Sequence, residues 1–456
     1  MKTKQFKDEN LAHFSYAICS NDEIALIDPS RNPQQYYDYA REQGATITAI
    51  IETHPHADFV SSHKEIHDKT GATIYVSELL GAEYEHQTFD DGDVIKVGEI
   101  HLKAINTPGH SPDSISILAI DELEQARAVY TGDTLFIGDC GRPDLREEAG
   151  AITASREELA KQMYHSLRNK LMVLPDEVLV YPAHGSGSLC GKGLSNKSVS
   201  TMGEEKQTNW SLQEMEEEQF INELLADQPF IPKYFTYNVS INKRGAVNYS
   251  ESVASVELRE AITCESCANA LNPEVVIIDT RPKAVFNAGH LPNAINLMEG
   301  AKFETWLGSI IKPTEKYYLV AENETKLRSL IERAAKIGYE SLIEQAFVAD
   351  YKVNENADFD ALKLYTNLDD YTLVDIRNET EAKDLMIFEN AINIPLHELS
   401  ERSTEIPTDK PIVVHCAGGY RSPAGRSIIK NNLEGVEVYD LGENINAFIN
   451  EGACKI

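Results

Sequence analysis

Short apolar runs recur along the chain, and several end abruptly in loops rich in histidine, aspartate and glycine. Ala49-Ile50-Ile51-Glu52-Thr53 leads into His54-Pro55-His56-Ala57-Asp58-Phe59, and Val129-Tyr130-Thr131 leads into Gly132-Asp133-Thr134. Runs of this kind, bounded by turn formers, predict buried strands, because a pleated segment covered on both faces is apolar throughout. Between them lie polar segments of helical spacing, one carrying His63 and His67 and another from 211 to 226. Strands alternating with such segments predict α/β layers rather than an all-helical or all-strand fold.

Two prolines, Pro229 and Pro232, enforce an extended exit from the second of these helices. The polar residues from 238 to 250 read as a linker, which sets expected boundaries at 1–237, 238–250, 251–350 and 351–456. Beyond the linker one unit occurs twice. Val275-Val276-Ile277-Ile278-Asp279-Thr280-Arg281 returns as Tyr371-Thr372-Leu373-Val374-Asp375-Ile376-Arg377, an offset of 375 − 279 = 96 residues, and Ala294-Ile295-Asn296-Leu297 returns as Ala391-Ile392-Asn393-Ile394 with an offset of 97. Each copy predicts a small α/β domain with a central parallel sheet. A chain of 456 residues exceeds one hydrophobic core and fits about three domains.

Four strand-to-loop transitions deliver imidazole or carboxylate groups: the run at His54, then Thr107-Pro108-Gly109-His110, then Gly132-Asp133, then Tyr181-Pro182-Ala183-His184-Gly185. One histidine in a globular chain is usually a core or surface residue. Four such loops can aim their groups at one centre, and they predict a bound metal. Imidazoles with a carboxylate and no adjacent pair of thiolates disfavour a sulfur-rich structural zinc site. In metal-dependent hydrolases of the metallo-β-lactamase fold the first run reads His-x-His-x-Asp-His, and Phe59 stands at its last position. Half of a two-metal apparatus is therefore expected to be missing, and a one-metal site with open positions suits dioxygen chemistry.

Together with Gly138-Asp139-Cys140-Gly141-Arg142-Pro143-Asp144 and Ala183-His184-Gly185-Ser186-Gly187-Ser188, these motifs resemble the persulfide dioxygenases of the metallo-β-lactamase superfamily over roughly the first 235 residues. The resemblance implies an αββα sandwich with one ferrous iron, Fe(II), held by His54, His110 and Asp133, a facial triad that leaves places for substrate sulfur and O2. On the same resemblance, His56, Asp58 and His184 are expected to orient ligands or waters from behind. Arg142 matches a pocket arginine expected to pair with a carboxylate of a low-molecular-weight thiol. Cys190, six residues after His184, is a candidate accessory thiol beside the substrate persulfide.

Both C-terminal copies resemble rhodanese domains, and only the second carries the chemistry. Pro411-Ile412-Val413-Val414-His415 is a buried strand that delivers Cys416-Ala417-Gly418-Gly419-Tyr420-Arg421-Ser422 just before a helix. Gly418 and Gly419 let backbone N–H groups converge on the Cys416 sulfur, and the helix N-terminus adds its positive end, a cradle suited to a cysteine persulfide anion. Arg421 is expected to bind the incoming sulfur oxyanion. In the first copy, aligning Lys316-Tyr317-Tyr318-Leu319-Val320 with Lys410-Pro411-Ile412-Val413-Val414 sets Glu322 opposite Cys416, with no thiol nearby, so that copy is expected to be a silent scaffold or docking domain. It keeps the turn Ala288-Gly289-His290-Leu291-Pro292-Asn293, which the active copy replaces with Phe388-Glu389-Asn390.

Composition narrows the partners. With 42% hydrophobic and 25% charged residues the chain is of globular type. No apolar run approaches the roughly 18 residues of a membrane span. The N-terminal Met1-Lys2-Thr3-Lys4 has no apolar stretch behind it, so a cytoplasmic location is expected, with its seven cysteines mostly reduced. Cys264-Glu265-Ser266-Cys267 then reads as two ordinary thiols, and Cys19 and Cys454 carry no signal. A formal charge of −31 repels phosphate backbones and anionic membranes, which excludes nucleic acid and lipid surfaces as partners. The expected partners are thiol persulfides, O2, and sulfite or thiosulfate, with homo-oligomeric assembly. The reading is a non-haem iron persulfide dioxygenase joined to a sulfurtransferase. The alternatives are a two-metal thioester hydrolase of the glyoxalase II kind and a non-catalytic sulfur-carrier or sensing module.

Overall fold

The computed structural model describes residues 1–146, 155–351, 353–356 and 359–450. It divides into two compact units, one of residues 1–252 with 335–338 and one of 253–334 with 339–456.

The first unit is built on two six-stranded sheets. One runs in the order β1 (Lys2–Asp8), β2 (His13–Ser20), β3 (Glu23–Ile27), β4 (Thr46–Ile51), β5 (Thr73–Val76), β6 (Gln87–Thr88). The other contains β7 (Val94–Val97), β8 (Ile100–Asn106), β9 (Ile115–Ile120), β10 (Ala126–Gly132), β11 (Leu179–Pro182) and β12 (Ser200–Thr201), in the order β12-β11-β10-β9-β8-β7. Side chains alternate across a strand, so each sheet presents one set inward and one outward. The inward sets, including Tyr16, Ile18, Ile51, Leu102, Ile117 and Tyr130, form a core between the sheets. The outward sets meet helices: Ile24, Ile50 and Ile74 pack with Tyr36 and Ile66, while Val129 and Val180 pack with Met163 and Phe220. The expected αββα sandwich results. Every strand-end loop singled out above leaves from the C-terminal end of its strand.

The second unit holds two four-stranded sheets of one topology. β13 (Val276–Asp279), β14 (Ala294–Asn296), β15 (Tyr317–Ala321) and β16 (Ile343–Val348) lie in the order β14-β13-β15-β16, and β17 (Thr372–Asp375), β18 (Ile392–Asn393), β19 (Ile412–His415) and β20 (Val438–Asp440) in the order β18-β17-β19-β20. All ladders are parallel. The repeat extends to side chains. Arg281 grips Asp279 through its Nη2 at 2.6 Å, and Arg377 grips Asp375 at 2.6 Å.

Four expectations need correction. Residues 238–250 are not a plain linker, since Phe235–Arg244 is a helix that buries Asn238, Val239 and Asn242, and a second helix spans Tyr249–Ala254. The helix expected from 211 to 226 is a short turn, Trp210–Leu212, followed by a helix at Glu217–Leu225. Sheet register pairs Asp279 with Val320 and Asp375 with His415, so the residue matching Cys416 is Ala321, not Glu322. Either way the first copy has no thiol there. Cys264 and Cys267 are joined as a disulfide, because Cys264 caps a one-turn helix at Glu265–Ala268 and the two Cα atoms stand 5.2 Å apart. Cys19, Cys140, Cys190 and Cys416 are free and buried, and Cys454 lies outside the described residues.

His415, at the end of β19, is buried with its ring edge against Phe388. Burial, aided by the nearby Arg377 charge, pushes its imidazole down from 6.5 to about 4. Unfolding restores the higher value, so the unfolded chain binds the proton first and stability falls as pH drops from 6.5 toward 4. The full effect is roughly 3 kcal/mol. Denaturant titrations of the full chain across that window should show this acid slope, and His415→Asn should flatten it.

Candidate metal centre and sulfur loop

His54 follows β4, His110 follows β8, and Asp133 follows β10, and all three are buried. His54 Nε2 lies 3.7 Å and His110 Nε2 3.5 Å from Asp133 Oδ2, with the two rings 5.0 Å apart and nearly perpendicular. Those spacings are too long for good hydrogen bonds and suit three donors around one ion at about 2 Å. His54 Nε2 and Asp133 Oδ2 have no hydrogen-bond partner among the described residues. Orphaned buried acceptors of this kind are costly unless something sits between them.

The far side of each imidazole explains its orientation. His110 Nδ1–H donates to the Arg142 carbonyl at 2.8 Å, leaving Nε2 as the lone pair that faces the centre. Asp28 accepts from Thr53 N–H at 2.7 Å and from Thr53 Oγ1–H at 2.8 Å, so the Thr53 hydroxyl is free to accept from His54 Nδ1–H at 3.1 Å. Burial holds both imidazoles below their ordinary value, so they are neutral and able to ligate.

His184, after β11, lies between two carboxylates. Its Nδ1 is 2.7 Å from Asp133 Oδ1 and its Nε2 is 2.7 Å from Asp58 Oδ2. Burial alone would lower its pKa, but Asp133 and Asp58 together raise it well above the usual range. The His56 ring lies 4.0 Å from that of His54, tilted by 47°, with Nε2 3.3 Å from Asp28. Phe59 packs its ring 3.9 Å from His13 and 4.5 Å from His56. Cys190 comes within metal-ligand reach of Asp58 and His184. Burial pushes its thiol up, with Asp58 and Asp133 adding to the effect.

Arg142 departs from expectation. Its guanidinium is buried and gripped by Asp144 through two bonds of 2.7 and 2.6 Å, with a third bond to the Leu189 carbonyl at 3.2 Å. It is not presented to a substrate carboxylate. Instead its backbone works at both ends, the carbonyl orienting His110 and the N–H donating to the Cys190 carbonyl at 2.9 Å.

Three contributors were not read from the sequence. Asp28, in a left-handed backbone conformation at φ 49°, holds Thr53 and faces His56. It ends the apolar strand Glu23–Ile27, the same strand-to-loop signal used for the others. Asn242 donates through Nδ2 to the His56 and Phe59 carbonyls, both at 2.8 Å, and accepts from Ser61 N–H. His13 is buried against Phe59, His56 and His184. Neither has a readable motif.

In the second unit, Cys416 is buried and its sulfur accepts the Gly419 N–H at 3.1 Å. Gly419 has φ 88°, and a Cβ there would stand 2.7 Å from Glu443 N, so the loop requires glycine at that position. A Cβ on Gly418 would meet open space. The helix Ser422–Asn432 begins directly after the loop. Arg421 is not free either, because Glu381 takes both of its terminal nitrogens at 2.7 Å.

The sequence profile of the Metallo-beta-lactamase superfamily matches residues 9–184, and that of the Rhodanese-like domain matches residues 263–345 and 360–451. The chain is 31% identical over 192 residues to the probable metallo-hydrolase YqgX of Bacillus subtilis, covering 38% of this chain and 84% of that protein. It is 30% identical over 189 residues to the mitochondrial persulfide dioxygenase ETHE1 of Bos taurus, covering 41% of this chain and 65% of that relative's length. Among solved structures, a metallo-beta-lactamase from Staphylococcus aureus subsp. aureus COL aligns with a TM-score of 0.67 at 34% identity, covering 76% of this chain and 99% of that one.

Gly141 lies against the metal loop so closely that a Cβ would stand 1.9 Å from the Asp133 carbonyl and 3.0 Å from His110 Nδ1. Gly141→Ala should therefore displace two donors at once. Metal bound per purified chain is expected to fall sharply, with a stability loss of roughly 1–3 kcal/mol by thermal unfolding.

Proposed function

We propose that this chain, which belongs to the metallo-beta-lactamase superfamily and carries two rhodanese-like domains, oxidises low-molecular-weight thiol persulfides and transfers sulfane sulfur to the sulfite formed. The observation that carries the first half is the donor set at His54, His110 and Asp133, two neutral imidazoles and one carboxylate converging without contact. Iron suits such a facial set, and when bound it supplies the means to bring O2 and a persulfide sulfur together. Similarity to a persulfide dioxygenase supports the same reading.

The residues around the centre have definable tasks. Asp28 and Thr53 fix His54, and the Arg142 carbonyl fixes His110. His184 shares the Asp133 carboxylate through Oδ1 and leaves Oδ2 for ligation. Phe59 and His13 pack against each other beside His56, where the hydrolase motif would carry another histidine. The reaction consumes one persulfide, one O2 and one water, and yields one thiol, one sulfite and two protons. At the second site the Cys416 sulfur bonds to a sulfane sulfur and its former bond breaks. The resulting persulfide then passes that sulfur to sulfite, giving thiosulfate and restoring the thiol. Joining both sites on one chain raises the local sulfite concentration for the second step. The limits that fit this division are 1–252 for the oxidising part, which keeps the Asn242 clamp with its loop, and 351–456 for the transferring part.

A second reading rests on one observation: His56, Asp133 and His184 also bring three donors within reach of a single ion. An additional metal there would favour thioester hydrolysis, in line with the similarity to a metallo-hydrolase. Metal analysis separates the two. Active protein should contain about one iron per chain, whereas two zinc ions and no iron would overturn the dioxygenase reading. His110→Ala or Asp133→Ala should abolish persulfide-dependent O2 uptake while leaving thiosulfate:cyanide sulfurtransfer nearly intact.

Cys416→Ser tests the transfer step. The variant should still consume O2 but release sulfite, because a hydroxyl is too poor a nucleophile and leaving group to carry sulfane sulfur. Undiminished thiosulfate, after correction for the spontaneous reaction of sulfite with persulfide, would show that Cys416 is not the transferring group.

A further inference from the structure

Arg421 is the only cation directly on the Cys416 loop, and the resting structure does not leave it open. Its side chain is 11% exposed, and that of its partner Glu381 is 36% exposed. Its guanidinium carbon also lies 5.5 Å from the ring centroid of Trp306, which is buried in the helix Phe303–Ile310 of the copy that has no thiol. Of the two groups set against Arg421, the indole is buried in a helix that has no exposed residue. The carboxylate is half exposed, on the short helix Glu379–Asp384.

The contact belongs to a wider seam between the copies. The Tyr420 hydroxyl donates to the Met298 carbonyl at 3.0 Å. A Cβ on Gly300 would stand 2.6 Å from the Tyr420 ring, so glycine is what lets that ring close against the first copy. Asn296 N–H donates to Ser427 Oγ at 3.2 Å, and Lys283 pairs at 2.6 Å with the buried carboxylate of Asp440. The sulfur loop is thus held from its own sheet on one side and from the other copy on the second.

We infer that the copy lacking a thiol completes the sulfurtransfer site of the other, with Trp306 holding Arg421 in place and Glu381 acting as a built-in occupant that an anionic sulfur substrate displaces. The inference rests on the proposed role of Cys416. A thiosulfate or sulfite oxyanion competes with one carboxylate for one guanidinium, and the displaced carboxylate, 36% exposed, exchanges its bonds to Arg421 and Asn378 N–H for water. The guanidinium cannot follow it, because the aromatic face keeps a favourable contact with the cation. In thiosulfate, the Cys416 thiolate bonds to the outer sulfur while the S–S bond breaks and its electron pair leaves on sulfite. Arg421 steadies the oxygens of that leaving group. Trp306 and Glu381 are positioning residues, since both act through Arg421.

The test is steady-state thiosulfate:cyanide transfer by the full chain, with the KM for thiosulfate and kcat separated. Trp306→Ala should raise KM by about three- to thirty-fold, the range expected for a lost cation–aromatic contact, with kcat changed less than about twofold. Trp306→Phe should recover most of the loss. Glu381→Gln keeps the capping hydrogen bond to Asn378 N–H and removes the competing charge, so it should lower KM severalfold. Thermal unfolding monitors folding of each variant. If Trp306→Ala does not fold, the half-exposed Glu381→Gln decides alone. A wild-type KM in folded Trp306→Ala, or an unchanged or raised KM in Glu381→Gln, would overturn the inference. Cys416→Ser serves as the control for the premise: transfer surviving in that variant would remove the proposed role of Cys416 itself, whereas transfer lost there with Trp306→Ala unaffected would remove only the inference.

Discussion

The carboxylate of Asp133 holds the metal centre together by dividing its two oxygens. Oδ1 is taken by the His184 imidazole, which in turn reaches Asp58, while Oδ2 is left facing His54 and His110. A carboxylate with one oxygen fixed by a strong charge-assisted bond cannot rotate, so its other oxygen is aimed. Burial alone would raise the Asp133 carboxyl, yet His184, His110 and His54 together hold it well below the usual range. The His-Asp chain from Asp58 through His184 thus keeps the ligand ionised in a place where an isolated charge would be expensive. Everything else in the first unit serves to bring loops from four strands to that one carboxylate.

The fold makes this convergence possible because β4, β8, β10 and β11 all release their loops at one edge of the sandwich. A loop that follows a buried strand inherits the strand's rigidity for its first residues, and the converging groups sit within four residues of that anchor. The second unit uses the same device once, with Cys416 immediately after β19. Where it differs is in the ligand donors. The first unit presents side chains, and the second presents a backbone N–H, that of Gly419, to a sulfur.

Much of this was legible in the sequence because the relevant signals are local. An apolar run ending at His54, His110, Asp133, His184 or Cys416 is readable without knowing what it packs against, and so is a unit that repeats after 96 residues. The parts that were not legible depend on distant pairs. Nothing near Asn242 marks it as the clamp on His56 and Phe59, because the partners lie more than 180 residues away. Polar residues from 238 to 250 look like a linker for the same reason, since a helix whose asparagines are buried against another loop carries no amphipathic stripe. Lettered similarity sets Glu322 opposite Cys416, but strand register is set by the sheet, and parallel pairing puts Ala321 there.

The two arginines show how a strongly acidic chain keeps its buried cations paired. Both guanidiniums that a motif would offer to substrate are already paired, Arg142 to Asp144 and Arg421 to Glu381. With a formal charge of −31, an unpaired buried cation would draw some carboxylate of the chain itself, and supplying that carboxylate from a neighbouring element keeps the geometry defined. The consequence differs between the sites. Asp144 is two residues from Arg142 in the same loop, so that pair acts as a strut that shapes the loop around His110 and Cys190. Glu381 comes from a separate helix forty residues away and is half exposed, so its pair with Arg421 can open without disturbing the loop that carries Cys416. The same ion-pair chemistry thus builds a fixed support at the metal centre and an exchangeable one at the sulfur loop, and what separates them is the burial and chain distance of the acid partner.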